Sequence, residues 1–208
     1  MVLIINLKTY KFGGDSEQLV KEISKVSNKI IMCVQAVDAY LASKVKNEIF
    51  IQHADYGEAG RNTGFVTLES VKKMGIKGVM LNHSEHKLNF RVLKKTVERA
   101  YSLGLKTLVC ASNIREAKKI IKIRPDYVAY EPNELIGTGI SVTQSKPKIV
   151  EKFSKLFKNN KIKCLCGAGV TNRHDVQVSK LLGCDGVLLA SAVTKAGNVK
   201  QVVKELVR

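Results

Sequence analysis

Apolar residues fall along this chain in two alternating textures: short, nearly continuous runs, and longer stretches where they recur every three or four positions. The short runs predict strands at Val2–Leu7, Ile30–Val34, Ile49–His53, Gly78–His83, Thr107–Ala111, Tyr127–Glu131, Ile162–Cys166 and Gly186–Ala190. Several are almost unbroken Val, Ile, Leu and Cys, as parallel strands covered on both faces require. Between them, helical spacing joins Leu19, Val20, Ile23 and Val26, and then Val92, Leu93, Val97, Ala100 and Tyr101. The same spacing joins Ile149, Val150, Phe153, Leu156 and Phe157, and finally Val199, Val202, Val203 and Leu206. Gly75, Gly104 and Gly183 follow helical stretches where a left-handed cap is expected, and Asp175 and Asn198 lie near helix starts.

Eight strand–helix units in 208 residues leave about 26 residues for each, tight but sufficient for a closed (β/α)8 barrel. No linker or shift of composition divides the chain, so residues 1–208 read as one α/β domain. The helices of units 2, 3 and 5 must then be short, with one missing or reduced to a turn. A doubly wound sheet is the alternative, but it leaves the eighth unit unexplained.

Composition narrows the class. A hydrophobic content of 45% with only three prolines supports a sizeable core. No run of 18 apolar residues exists, and Met1–Asn6 lacks the charged lead and cleavage site of a signal peptide, so a cytoplasmic protein without a membrane partner is expected. The five cysteines suit neither a disulfide framework nor a metal site, since no Cys-x-x-Cys pair occurs; they read as small buried hydrophobes. The formal charge of +17 favours anionic partners. Its lysines are dispersed along helices, without the aromatic platforms of single-strand binders, so solvated faces and capture of a small anion are expected rather than nucleic-acid binding.

The candidate chemistry lies where the strands end, which is where a barrel of this type builds its active site. Glu131 stands at the end of a strand, fixed by Pro132 and followed by a loop ending in Gly137 and Gly139, the arrangement of a general base beneath a closing segment. Strand 1 delivers Asn6 and Lys8, and strand 4 delivers His83 with Ser84 and Glu85. Strands 7 and 8 end in the small residues Gly167, Ala168, Gly169, Ala190 and Ser191, which let backbone N–H groups approach a phosphate. Asn6 and His83 can donate to a substrate carbonyl, Lys8 can offset a developing oxyanion, and Glu131 can take a carbon-bound proton. That chemistry needs no metal and no organic cofactor. Singly, each residue has a plainer use: a satisfied histidine, a surface lysine, or an asparagine capping its loop.

The motifs Asn6-Leu7-Lys8, Gln52-His53, Thr63-Gly64, Asn82-His83-Ser84-Glu85, Tyr130-Glu131-Pro132 with Glu134-Leu135-Ile136-Gly137-Thr138-Gly139, Cys166-Gly167-Ala168-Gly169 and Gly186-Val187-Leu188-Leu189-Ala190-Ser191 run in this order through the chain. The set resembles the triosephosphate isomerase family, specifically its archaeal branch. The resemblance implies a TIM barrel that interconverts dihydroxyacetone phosphate and D-glyceraldehyde 3-phosphate in glycolysis and gluconeogenesis. It implies Glu131 as the proton shuttle through an enediolate, His83 as electrophile, and Lys8 and Asn6 as oxyanion support and substrate holders. Ser84 and Glu85 become supporting residues that position the strand 4 turn and Lys8. Ile136, Gly137, Gly169, Ala190 and Ser191 become the phosphate site, and 132–139 the closing lid. The family is oligomeric, so a homodimer or homotetramer is implied, with the segment from Asp55 to Thr63 resembling the loop that packs into a neighbour.

Some positions depart from the family. Cys166-Gly167-Ala168-Gly169 and Ala190-Ser191 differ from bacterial and eukaryotic members, which carry Tyr-Gly-Gly-Ser and two glycines there. Asn133 replaces a second proline at the start of the lid, and His86-Lys87 stands in place of a pair of arginines, leaving a supporting ion pair in question. Two other readings stay open from the residues. One is a non-catalytic barrel that binds anions or RNA through its charge; the other is a small aldolase using Lys8 as a Schiff base.

Overall fold

The computed structural model describes residues 1–132 and 142–208. Eight parallel strands close into a barrel in sequential order: β1 (Val2–Asn6), β2 (Ile31–Val34), β3 (Ile49–Ile51), β4 (Gly78–Leu81), β5 (Lys106–Ala111), β6 (Tyr127–Tyr130), β7 (Lys163–Cys166) and β8 (Gly186–Leu189). β1 pairs with β2 on one side and β8 on the other, with Ile4 opposite Ile31 and Leu188, so no sheet edge is left open. The helices around it are α1 (Gly13–Val26), α2 (Ala39–Ala42), α3 (Leu68–Lys73), α4 (Phe90–Ser102), α5 (Ile114–Ile121), α6 (Val142–Ser145), α7 (Pro147–Lys155), α8 (Arg173–Leu181), α9 (Ser191–Thr194) and α10 (Val199–Val207). α2 has only four residues and follows a single 3-10 turn, which is where the short chain saves length.

Strand alternation sorts the core into two clusters. Ile4, Ile31, Cys33, Phe50, Met80, Leu108, Cys110, Tyr127, Ala129, Leu165 and Leu188 fill the barrel interior. Their neighbours along each strand, such as Ile5, Met32, Val79, Val109, Val128 and Cys166, face the helices. Phe50 reaches so far across the lumen that a Cβ on Gly78 would lie 2.6 Å from its ring, which accounts for a glycine opening β4.

The helical stripes pack as their spacing requires, with one exception. Tyr101, at the end of the α4 pattern, is 82% exposed, although Ala100 beside it is fully buried and Leu103 packs against the core. Gly75, Gly104 and Gly183 all adopt positive φ after their helices. Asn198 caps α10 by accepting from the Gln201 N–H. At α8 the cap is Asn172, whereas Asp175 sits one turn in and accepts from the N–H and hydroxyl of Thr171. All five cysteines are buried. Among the described residues no helix is long and apolar enough to cross a membrane.

Candidate active site

Parity along the strands aims the polar residues. In β6 Tyr127 and Ala129 face the lumen, so the next lumen-facing position is Glu131, just past the strand and 5% exposed. In β1 Ile4 faces in, and Asn6 is the following inward position, 3% exposed. β4 breaks the rule. Asn82 adopts φ 60°, and its side chain turns away to donate to the Cys110 carbonyl and the Glu116 carboxylate while accepting from the Leu88 N–H. That left-handed residue shifts the register so that buried His83 lines the mouth.

His83 Nε2 lies 3.5 Å from Glu131 Oε1. The Glu85 N–H donates to His83 Nδ1 at 3.2 Å, so Nδ1 is the acceptor and the ring proton sits on Nε2, toward Glu131. Among the described residues Glu131 Oε2 is buried without a hydrogen-bond partner. β7 is what makes room for it. A Cβ on Gly167 would stand 2.6 Å from Glu131 Cγ, so any side chain there would displace the carboxylate. Beneath the pair, burial and then the charge of Glu131 push the Cys110 thiol well above its ordinary range, so it stays protonated.

Lys8 reaches the same mouth on a strained backbone. Its φ is 49°, a left-handed conformation that costs a non-glycine residue about 1–2 kcal/mol. Asn6 Oδ1 accepts the Lys8 N–H, and Gln52 donates to the carbonyls of both Lys8 and Cys33. Asn6 therefore does cap its own loop, with Oδ1 occupied and the amide nitrogen left for a ligand. The ammonium of Lys8 is held 2.6 Å from Glu85 Oε1. Ser84 Oγ is buried and makes no hydrogen bond among the described residues.

Gly169, Ala190 and Ser191 line the same crevice, and among the described residues their N–H groups donate to no protein acceptor. Ile136, Gly137 and positions 133–139 of the expected lid lie outside the described residues, while Pro132 is buried beside Glu131. The mouth continues past Lys8 into a second crevice bordered by Gln35, Gln52, His53, Glu85 and His86. There His86 stacks on His53 with ring centroids 4.2 Å apart, and burial, then His86, lower the His53 imidazole against the opposing pull of Asp55. Of the two residues that stand in place of the arginines, Lys87 pairs with Glu116, its ammonium 3.0 Å from the carboxylate.

The sequence reading missed Gln52 as a buttress, Asn82 as the register shifter and Gly167 as the void that admits Glu131. Gln52 and Asn82 stood inside recognisable motifs, but nothing in the chain shows which backbone carbonyls they reach. Among the described residues no cluster of His, Cys, Asp or Glu could hold a metal ion.

A family model described as triosephosphate isomerase matches residues 1–206. A triosephosphate isomerase of Methanocaldococcus jannaschii is 38% identical over 217 residues, covering 100% of this chain and 99% of the relative. Those of Methanothermus fervidus and Archaeoglobus fulgidus are each 37% identical and cover 99% of the chain, with 97% and 96% of their own lengths aligned. The crystal structure of triosephosphate isomerase from Bartonella henselae superposes with a TM-score of 0.76 over 100% of this chain and 99% of its own; at 20% identity that likeness speaks for the barrel alone.

Proposed function

Because the chain belongs to the triosephosphate isomerase family and interconverts dihydroxyacetone phosphate and D-glyceraldehyde 3-phosphate, we propose that Glu131 moves the proton and His83 polarises the carbonyl. The observation that carries this assignment is the buried contact of His83 Nε2 with Glu131 Oε1 at 3.5 Å, in a mouth shared with the Lys8 ammonium. A substrate must part the two side chains and lie between them.

In that position the Glu131 carboxylate takes a proton from C1 of dihydroxyacetone phosphate. The C–H electron pair forms the C1–C2 double bond, and the carbonyl electrons move onto O2. The Nε2–H of His83 and the Asn6 amide donate to O2, and Lys8 offsets its negative charge, each placed before the charge appears. His83 then transfers a proton between the two oxygens, and Glu131 returns its proton to C2, giving the aldehyde. The net change is one proton moved between adjacent carbons, with no redox partner. The N–H groups of Gly169, Ala190 and Ser191 hold the phosphate dianion, joined by Ile136 and Gly137 when the 132–139 segment closes. Glu85 positions the His83 turn through its N–H and Lys8 through its carboxylate, with Ser84 in the same turn.

Lys8 is engaged as an ammonium by Glu85, which suits electrostatic work better than Schiff-base chemistry. The same reading makes the protein a cytoplasmic homo-oligomer, dimer or tetramer, with the arm from Asp55 to Thr63 reaching a neighbour. The arm is tied at its base by Asp55, which bonds the Val66 N–H through its carboxylate and the Val66 carbonyl through its own N–H. It leaves Tyr56 and Phe65 exposed.

Glu131→Asp tests the assignment. It draws the carboxylate back by about one bond length, so kcat should fall by about 10²-fold with KM nearly unchanged. Wild-type turnover in that variant would remove Glu131 from the role.

A further inference from the structure

A cavity of about 920 Å³ lies at the opposite end of the barrel from the catalytic mouth. It opens between the starts of β1 and β2, the end of α1, and the outer face of α8. Its floor is apolar, formed by Leu3, Val26, Ile30 and Val176. Its rim carries Lys29, Lys46, Arg173 and Lys180, and no aspartate or glutamate lines it. None of these four cations makes an ion pair among the described residues.

The surroundings strengthen the field. The carboxylates at neighbouring strand starts are already engaged: Glu48 by Lys106, Asp126 by the Thr107 N–H, and Asp185 by the Cys164 N–H. The last turns of α1, α3, α5 and α8 add Lys25, Lys72, Lys118 and Lys180 at this end of the barrel. Acidic residues instead occupy the first turns of the same helices, with Asp15, Glu69, Glu116 and Asp175 near the catalytic end. A small phosphate alone would leave the apolar floor uncovered, and a simple acyl chain would leave the amides of Asn28 and Gln177 on the wall to water, where the edge of a base can pair with them.

We propose that this groove binds a nucleoside polyphosphate, with the base on the aliphatic floor beside Asn28 and Gln177 and the phosphates on Lys29, Lys46, Arg173 and Lys180. The volume suits a ligand of that size. Bound there, it occupies the strand-start face without touching the isomerase mouth.

Calorimetric titration of the full chain with ATP at low ionic strength, without added metal, tests this. Parallel titrations use adenosine, inorganic tripolyphosphate, and ATP in the presence of saturating glycerol 3-phosphate as an occupant of the catalytic mouth. One ATP should bind per chain, at least about tenfold more tightly than adenosine or tripolyphosphate, and glycerol 3-phosphate should not displace it. Lys29→Ser with Lys180→Ser should weaken ATP by about tenfold or more while kcat for isomerisation is unchanged. A control pair on other helices, Lys72→Ser with Lys118→Ser, should leave affinity within about twofold. The proposal is overturned by any of four results: no ATP binding, tripolyphosphate binding as tightly as ATP, displacement by glycerol 3-phosphate, or equal weakening in the control pair.

Discussion

At the scale of single residues, the site depends on one side chain that is missing as much as on those present. Gly167 faces the lumen across from Glu131, and its lack of a Cβ is what the Glu131 side chain occupies. Gly167→Ala should push the carboxylate off its line to His83 and lower kcat by about tenfold or more. Stability should fall by about 1–3 kcal/mol, since overpacking is costly but survivable. Steady-state kinetics alongside a denaturant melt would separate the two effects, and an unchanged kcat would show that Glu131 tolerates the displacement. Lys8 offers a complementary case. Removing its charge by Lys8→Ala should raise KM and lower kcat together, because the ammonium serves the bound anion and the developing oxyanion alike. A variant with normal values for both would remove its electrostatic role. Gln52→Ala leaves the catalytic groups in place but frees the left-handed backbone that carries Lys8, so its loss should resemble a weaker Lys8→Ala.

At the scale of elements, the turn after β4 is held by a carboxylate on α5. Glu116 accepts from the Ser112 N–H and hydroxyl, the Asn82 amide and the Lys87 ammonium. Burial alone would raise its carboxyl, but these hydrogen bonds outweigh burial and leave it below the usual carboxylate range. A group lowered in the folded state contributes stability above its unfolded value, and that contribution is lost as pH falls through the folded one. The wild-type Tm should therefore drop below about pH 4.3. Glu116→Gln should have a lower Tm at neutral pH and a shallower loss on acidification; parallel acid limbs for the two proteins would count against this clamp. Four helices, α1, α4, α7 and α10, were legible from their spacing, as were the strands to within a residue or two at each end. Tyr101 shows the limit of that reading: its spacing joins it to the α4 stripe, yet it is 82% exposed while Ala100 beside it is buried. Asp175 shows another, since the capping residue was the asparagine three positions earlier.

At the scale of the whole molecule, a formal charge of +17 repels itself. Raising ionic strength from about 0.01 to 0.1 M shortens the screening length from about 30 to 10 Å. Tm at neutral pH should rise by a few degrees, about 2–4 °C for each kcal/mol relieved. A flat or falling melting temperature would mean that surface pairs such as Lys21 with Glu17 and Lys106 with Glu48 contribute more than the net repulsion removes.

The chain by itself determined the barrel and the chemical kinds of the groups at its mouth, because strand and helix periods are local properties and because a carboxylate, an imidazole and an ammonium must each be encoded as such. Tertiary structure decided how those groups meet. The left-handed turns at Lys8 and Asn82, the space left by Gly167 and the 3.5 Å approach of His83 to Glu131 each depend on a neighbour supplied by another strand. The basic groove is of the same kind. Its cations are scattered from Lys29 to Lys180 in the sequence, and only closure of the barrel brings them around one apolar floor.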